Sequence, residues 1–525
     1  MVWTPFHTGL AVVYIAGLLL LGLLAGRQRG ETQQYLSAAG GLPLWLCIAA
    51  AIAANCGSLD VIAMMALGAQ YGMLACHFYW IGAIPALLVL TFWLLPSYAR
   101  QRYPSVLDLL ESHYGPQTRA LVALGMATMM LLLAGVCLAA TAQVATTFLG
   151  WGFWKGALIT ASVVLLYTVT GGLRATIFTQ LLHFAFVLAA IVPLGYFVLR
   201  DFGGVHGLLS AIPPTRLYIW HQLPWLDPNA IMDRFGLVFG LGIVLSFGYW
   251  STDFVVMQRA LAVRRPEDIQ YVPAALATAK LVFAMVVVVP GVAAPIVLRL
   301  PASANWNATL PSMVLRYYSP FWIVIGLIGL AASLIATFAN NVAGFSAAWI
   351  QGVCQSSVHP SARGSRDLWM GRVTNTVAVV LSLGGAHVAL TYHSFMEYMQ
   401  LIFAAFNGPL LALVLLAAIL PQRSVRGGLA GFSIGLLSAI AHQLLVRAGI
   451  LHYGSPMSAN FYAAALSFSV AVVVALVAAR LNSPHALEAQ TPPAPTHFSS
   501  EVRPPVVALA LAILAAFVAF NAYFW

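Results

Sequence analysis

Two aspartates stand where an acid is costly. Asp60 lies inside the apolar run 42–67, and Asp253 lies inside the apolar run 235–263. An ionised carboxylate at the centre of a bilayer costs about 3 kcal/mol or more, so it persists only where it faces protein, water or a ligand. Each run is also interrupted by residues that form helix poorly: Asn55-Cys56-Gly57-Ser58 in the first, and Ser246-Phe247-Gly248-Tyr249-Trp250-Ser251-Thr252 in the second. Such acids could carry a proton, act as counter-ion to a cationic solute, or serve as structural partners of a helix end or of Lys280, which lies in another apolar run. Broken helices at corresponding places in two halves of a chain point to a transporter's binding site. Tyr249-Trp250 reads as a gate or stacking platform beside it. His183 and His442 titrate near neutral pH in principle, but a lone buried histidine is more often a satisfied core residue.

The elements that must position these groups are membrane helices. The chain is 61% hydrophobic and 7% charged, against about 25% charged in a soluble domain. Membranes are crossed by apolar helices of about twenty residues or by closed barrels, and these apolar runs are too continuous for barrel strands. The net charge of +10 is therefore read as topology signals rather than nucleic-acid affinity. Cys47, Cys56, Cys76, Cys137 and Cys354 show no metal-ligand spacing. The sequence predicts an all-α polytopic membrane protein with about fourteen transmembrane helices. The first apolar run, 6–26, reads as a span rather than a cleaved leader. Arginines crowd one alternating set of loops, among them Arg27, Arg29, Arg100, Arg102, Arg264, Arg265, Arg423 and Arg426. The positive-inside rule places that set in the cytoplasm and both termini outside the plasma (inner) membrane.

The segments YTVTGGLRATIFTQ (167–180) and GYWSTDFVVMQRALA (248–262) resemble hallmark segments of the sodium:solute symporter family. AANCGSLD (53–60), ATAKLVFAMVVVVPG (277–291) and GGLAG (427–431) fit the same family. The resemblance implies a leucine-transporter-like fold, a five-plus-five inverted repeat with two discontinuous helices. It divides the chain into a peripheral N-terminal helix and loop (1–41), a first repeat (42–199) and an extracellular cap loop (200–233). A second repeat (234–421), peripheral helices (422–480), a flexible cytoplasmic linker (481–504) and a C-terminal helix (505–525) complete it.

The resemblance also implies roles. Asn55, Ser58, Asp60, Ser246, Tyr249, Trp250, Asp253 and Lys280 fall at or beside the substrate site, with Tyr249 closing the pocket toward the cytoplasm and Asn55 as its polar partner. The carbonyls of Ala53, Cys56 and Ala336 match ligands of a sodium site between the first broken helix and span 318–353. Ala339 and Asn340 are aligned with two adjacent hydroxyl ligands of that site, and Gln180 with an aspartate that guides the ion. On this alignment a hydroxyl and a carboxylate are missing. Sugar-contacting residues of the galactose-type members are largely absent, which disfavours a sugar, and two acids with one lysine in the pocket favour a small polar or zwitterionic solute, with a cation as an alternative. The expected activity is secondary active symport by alternating access with Na+ as coupling ion and no other cofactor. A proton-coupled carrier or uniporter and a transporter-like ligand sensor remain as alternatives. No nucleophile–base pair, metal cluster or phosphate loop suggests an enzyme. The expected partners are the solute and membrane lipid. Three smaller expectations follow: Asp253 pairs with Lys280 or a backbone amide, Tyr79-Trp80 packs at an interface, and Glu397 is solvated at the outer start of its span.

Overall fold

The structure, a computed structural model, describes residues 42–96, 106–168, 173–301, 304–354, 365–419, 424–481 and 503–525. The expected first span, 6–26, and nearly all of the expected linker, 481–504, lie outside the described residues. So do residues 169–172 in the middle of the first hallmark segment. Among the described residues the chain is helical, with one isolated bridge between Leu42 and Val263. Nine helices there are long and apolar enough to cross a membrane, and three apolar helices are shorter. A helix satisfies its own backbone, which is why lipid admits this class of structure.

The first apolar run forms α1 (Leu44–Asn55) and α2 (Ser58–Tyr71), separated at Cys56-Gly57. α3 (Cys76–Trp80) and α4 (Ile84–Val89) follow, and α4 runs into a π-helical turn, Leu90–Leu94. Then come α5 (Val106–Leu149), α6 (Phe153–Thr168) and α7 (Leu173–Asp201). Inside α5, Gly115 takes φ 82°, and Pro116 follows, so two helices meet there at a kink. This is a conformation that glycine tolerates and side chains disfavour.

The cap region carries α8 (Val205–Ala211) and a short 3-10 turn, Pro214–Arg216. It is tied down from several sides. Ile219 and His221 donate to the carbonyls of Phe524 and Trp525, and Trp220 donates to the Asn521 side chain. Arg216 donates to the carbonyls of Gly68 and Ala69 near the end of α2.

The second broken run differs from the sequence expectation. A π-helix, Gly236–Leu245, leads into α9 (Ser246–Thr252), so the SFGYWST segment is helical. The break falls on Asp253, whose backbone is extended at φ −66°, ψ 98°. α10 (Phe254–Leu261) follows it. Thr252 turns its hydroxyl back to the Gly248 carbonyl at 2.7 Å, so its polar group is satisfied inside the helix just before the break.

The rest of the bundle comprises α11 (Tyr271–Phe283), α12 (Val289–Leu298), α13 (Thr309–Tyr317), α14 (Pro320–Ala348) and α15 (Ser365–Ala389). α16 (Phe395–Ile419), α17 (Val425–Arg447), α18 (Pro456–Leu481) and α19 (Pro504–Tyr523) complete it. α2 is buried along almost its whole length, from Ser58 to Ala69. It is the central helix, wrapped by α12, α13, α14 and α16.

Small residues set the closest helix crossings, as they do where lipid removes any hydrophobic drive for association. At the α5–α15 crossing, a Cβ added to Gly135 would lie 2.6 Å from the Gly385 carbonyl carbon. Gly135→Val should therefore lower stability by about 1–3 kcal/mol through overpacking, read as a lower melting temperature of the purified protein. Gly384→Ala, where an added Cβ meets nothing within 4 Å, should leave the melt unchanged. Equal melts for the two variants would place the α5–α15 contact elsewhere.

Candidate functional site

The break in α1–α2 leaves backbone groups without helical partners in the middle of the bundle. Cys56 still donates to the Ile52 carbonyl at 2.8 Å, while Gly57 is extended. On one side of the break stands Lys280, carried by α11. Its Nζ donates to the Asn55 carbonyl at 2.6 Å and to Asp60 Oδ2 at 3.2 Å. Its ammonium also sits 4.8 Å from the centre of the Tyr79 ring and 5.9 Å from that of Trp250. The Tyr79 hydroxyl donates to the same Asp60 Oδ2 at 2.7 Å. The Lys280 side chain is 5% exposed, and that of Asp60 is 22% exposed. Both side-chain partners of the Asp60 carboxylate thus fall on one oxygen, Oδ2. Asp60 lies in the first turn of α2, where the helix dipole favours a negative charge.

The aromatic wall comes from α9 and α16. Tyr249 meets Trp250 edge-on at 5.0 Å and Phe403 at 5.3 Å. Its hydroxyl lies 3.5 Å from Asn55 Oδ1. Trp250 is fixed by a 3.0 Å hydrogen bond from its indole N–H to the Gly82 carbonyl. Ser58 and Ser246 are buried, and neither hydroxyl has a hydrogen-bond partner among the described residues. Asn55, Asp60, Tyr249, Trp250 and Lys280 are therefore one connected cluster.

Asp253 is not in direct contact with Lys280. Its Oδ1 accepts from the Val256 N–H at 3.3 Å, capping α10 across the second break. Of the two partners expected for it, the backbone amide is the one present.

On the other side of the first break stands α14. Ser333 Oγ accepts from the Ser58 N–H at 3.0 Å. A Cβ placed on Gly57 would lie 3.1 Å from Ser333 Oγ and 3.8 Å from both the Ala53 carbonyl and Thr337 Oγ1. The hydroxyls that α14 brings to the break are therefore those of Ser333 and Thr337. Asn340 is seven residues beyond Ser333, about 10 Å farther along the helix axis, and Ala339 is on a different face. Ala336 lies between the two hydroxyl residues and is buried. The motif alignment named Ala339 and Asn340 and not Ser333, because it matched residue order rather than the polar face that Ser333 and Thr337 mark one turn apart. The hydroxyl spacing, Ser333 to Thr337, was the available signal.

Gln180 is also engaged. Its Oε1 accepts from Arg259 at 2.7 Å, and both side chains are buried. Tyr79 is more than packing, since it holds Asp60, whereas Trp80 does pack, stacked on Phe520 at 5.7 Å. Glu397 is not solvated: it is 1% exposed and accepts from Gln70 at 2.8 Å and from Tyr71 at 2.9 Å. Asn460 of α18 also donates to its carbonyl, and this neighbouring helix covers the start of the span. His442 bonds the Tyr453 hydroxyl at 2.7 Å, well away from the breaks in sequence and on the peripheral α17.

The sodium:solute symporter family model matches residues 35–435. A sodium/glucose cotransporter of Vibrio parahaemolyticus is 23% identical over 83% of this chain and 84% of its own length. Sodium/glucose cotransporter 1 of Sus scrofa is 23% identical over 90% of this chain and 78% of its own. Among solved structures, a Na+-coupled sialic acid symporter in a substrate-bound, outward-open state has a TM-score of 0.71 at 16% identity, covering 91% of this chain and 98% of that one. A nucleobase-cation-symport-1 family transporter, closed around a bound hydantoin, has a TM-score of 0.51 at 13% identity, covering 86% and 96%. These likenesses establish a shared fold, the leucine-transporter-like arrangement with two broken helices. A family match over most of the chain, joined to a broken-helix site of this kind, makes the chain a multi-pass membrane transporter of the sodium:solute symporter family.

Proposed function

We propose that this chain is a Na+-coupled symporter in the plasma (inner) membrane, with the solute bound on the Asp60 side of the first break and sodium on the Ser333 side. The observation that carries this reading is that a single break, at Cys56-Gly57, meets oxygens with acceptor capacity to spare on two sides. One side offers the second carboxylate oxygen of Asp60, in a partly exposed side chain. The other offers the Ser333 and Thr337 hydroxyls and the Ala53 carbonyl within a few ångströms of Gly57. A hard cation takes oxygen ligands, and unwound backbone carbonyls are their usual source in transporters. Sodium bound there ties α2 to α14. Because a ligand shifts an equilibrium only by its differential affinity for two states, that tie is how the ion gradient does work on the carrier.

The chemistry of the solute side selects a hydrogen-bond donor. Lys280 is already engaged with Asn55 and Asp60, so it is poorly placed to receive a carboxylate. The Asp60–Lys280 pair is neutral overall, and Ser58 and Ser246 add neutral hydroxyls. A small neutral solute with hydroxyl or N–H donors fits best, with Tyr249, Trp250 and Phe403 supplying an apolar face. Proton coupling has less support, because Asp60 is held in an ion pair and Asp253 caps α10.

Uptake into proteoliposomes with and without a sodium gradient tests the coupling, after a thermal-shift screen finds the solute. The hits should be neutral donors that bind more tightly in sodium. A hit set confined to carboxylates would overturn the solute assignment, and binding without flux would mark a ligand sensor instead.

Two substitutions read the two sides separately. Ser333→Ala should raise the sodium concentration for half-maximal uptake about tenfold, which corresponds to roughly 1.4 kcal/mol, while Asn340→Ala should change it less than about twofold. The reverse ranking would return the ion site to the sequence alignment. Tyr249→Ala should raise solute efflux down its own gradient, because the ring and its contact with Phe403 supply the closure. Efflux and uptake both at parent levels would put Tyr249 outside the gate.

A further inference from the structure

Lys280 does more than line the solute site. Its ammonium reaches the two kinds of oxygen that a broken membrane helix exposes. One is the Asn55 carbonyl, 2.6 Å away, at the end of α1. The other is the Asp60 carboxylate, 3.2 Å away, in the first turn of α2. The carbonyl end of α1 is the negative end of its dipole, where a cation is favoured. In broken transporter helices, carbonyls at such ends hold coupling cations. Here the chain supplies a cation of its own, faced by the rings of Tyr79 and Trp250. The opposite side of the same break, against Ser333 and Thr337, carries no charged side chain among the contacts that define it.

We propose that the Lys280 ammonium is a tethered cation filling one of two cation positions at the first break, so that a single mobile sodium ion, on the Ser333 side, accompanies each solute. The inference deepens the sodium reading above and rests on it for the mobile ion alone. Its consequence is direct. Removing the ammonium leaves the Asp60 carboxylate and the Asn55 carbonyl facing each other without a positive charge, in a bundle where an uncompensated buried charge is strongly unfavourable. A sodium ion carries the same charge and accepts the same oxygens. Lys280 is thereby a stoichiometry-determining residue, and its deletion creates a site rather than merely losing one.

The test is the number of radioactive sodium ions bound per molecule of purified full-length protein. The parent should bind one, and so should Lys280→Arg, which keeps the charge. Lys280→Ala should bind two. The double variant Lys280→Ala with Asp60→Asn should return to one, because the carboxylate ligand is gone. Two ions on the parent, or no gain on Lys280→Ala when the parent binds one, would overturn the proposal. No ion on the parent but one on Lys280→Ala would sink the sodium site at Ser333 while supporting the tethered cation. No ion on either would sink both. Should Lys280→Ala not fold, Lys280→Gln replaces it. Its melting temperature should then rise in sodium relative to N-methylglucamine by more than the parent's does, and an equal rise would count against the second site.

Discussion

A helix opened in the middle of a membrane bundle must have its exposed backbone ligated, and the rest of this structure is arranged around that requirement. Cys56 and Gly57 interrupt the most deeply buried helix of the bundle. Water is scarce there, so each freed carbonyl or N–H needs a partner from the protein or a ligand. Lys280 serves the Asn55 carbonyl, and Ser333 serves the Ser58 N–H. Asp60 then balances the charge that Lys280 brings. The break, the buried lysine and the half-buried acid therefore form one device.

The two halves of the broken helix are anchored to different partners. Leu42, just before α1, exchanges backbone hydrogen bonds with Ala262 and Arg264 beyond α10, joining the far ends of the two broken helices. The far end of α2 is instead held by Arg216 from the cap and, through Gln70 and Tyr71, by Glu397 at the start of α16. Alternating access requires one bundle to move against another around a fixed site. An unwound pair of residues between separately anchored halves is a hinge of the kind such motion uses. The second break, at Asp253, likewise separates α9 from α10, with the Asp253 carboxylate holding the new helix start.

Irregular helix turns lie next to these groups. A π-helix, Gly236–Leu245, runs directly into the helix that carries Ser246, Tyr249 and Trp250. Another, Ala284–Val288, begins four residues after Lys280. A π turn inserts an extra residue and so rotates the following helix face, and such turns recur at functional sites. Here the first turn precedes α9, whose Tyr249 meets the first break, and the second precedes α12, which packs against α2.

The sequence by itself determined the solvent and the weak points. An apolar chain with few charges must be membrane helices, and Asn55-Cys56-Gly57-Ser58 marked a break with an acid beside it, because an acid in lipid and a run of poor helix formers are local properties of the chain. The hallmark segments carried the family and, with it, the two-break fold. What only the tertiary structure decided was rotation and partnership. Ser333 and Thr337, rather than Ala339 and Asn340, face the first break. Tyr79 holds Asp60, Asp253 caps its own helix, and Glu397 is buried under α18. A shift of seven residues along a helix preserves nearly the same face two turns away. Which side chain meets which is therefore settled by how neighbouring helices pack, through contacts between residues far apart in the chain.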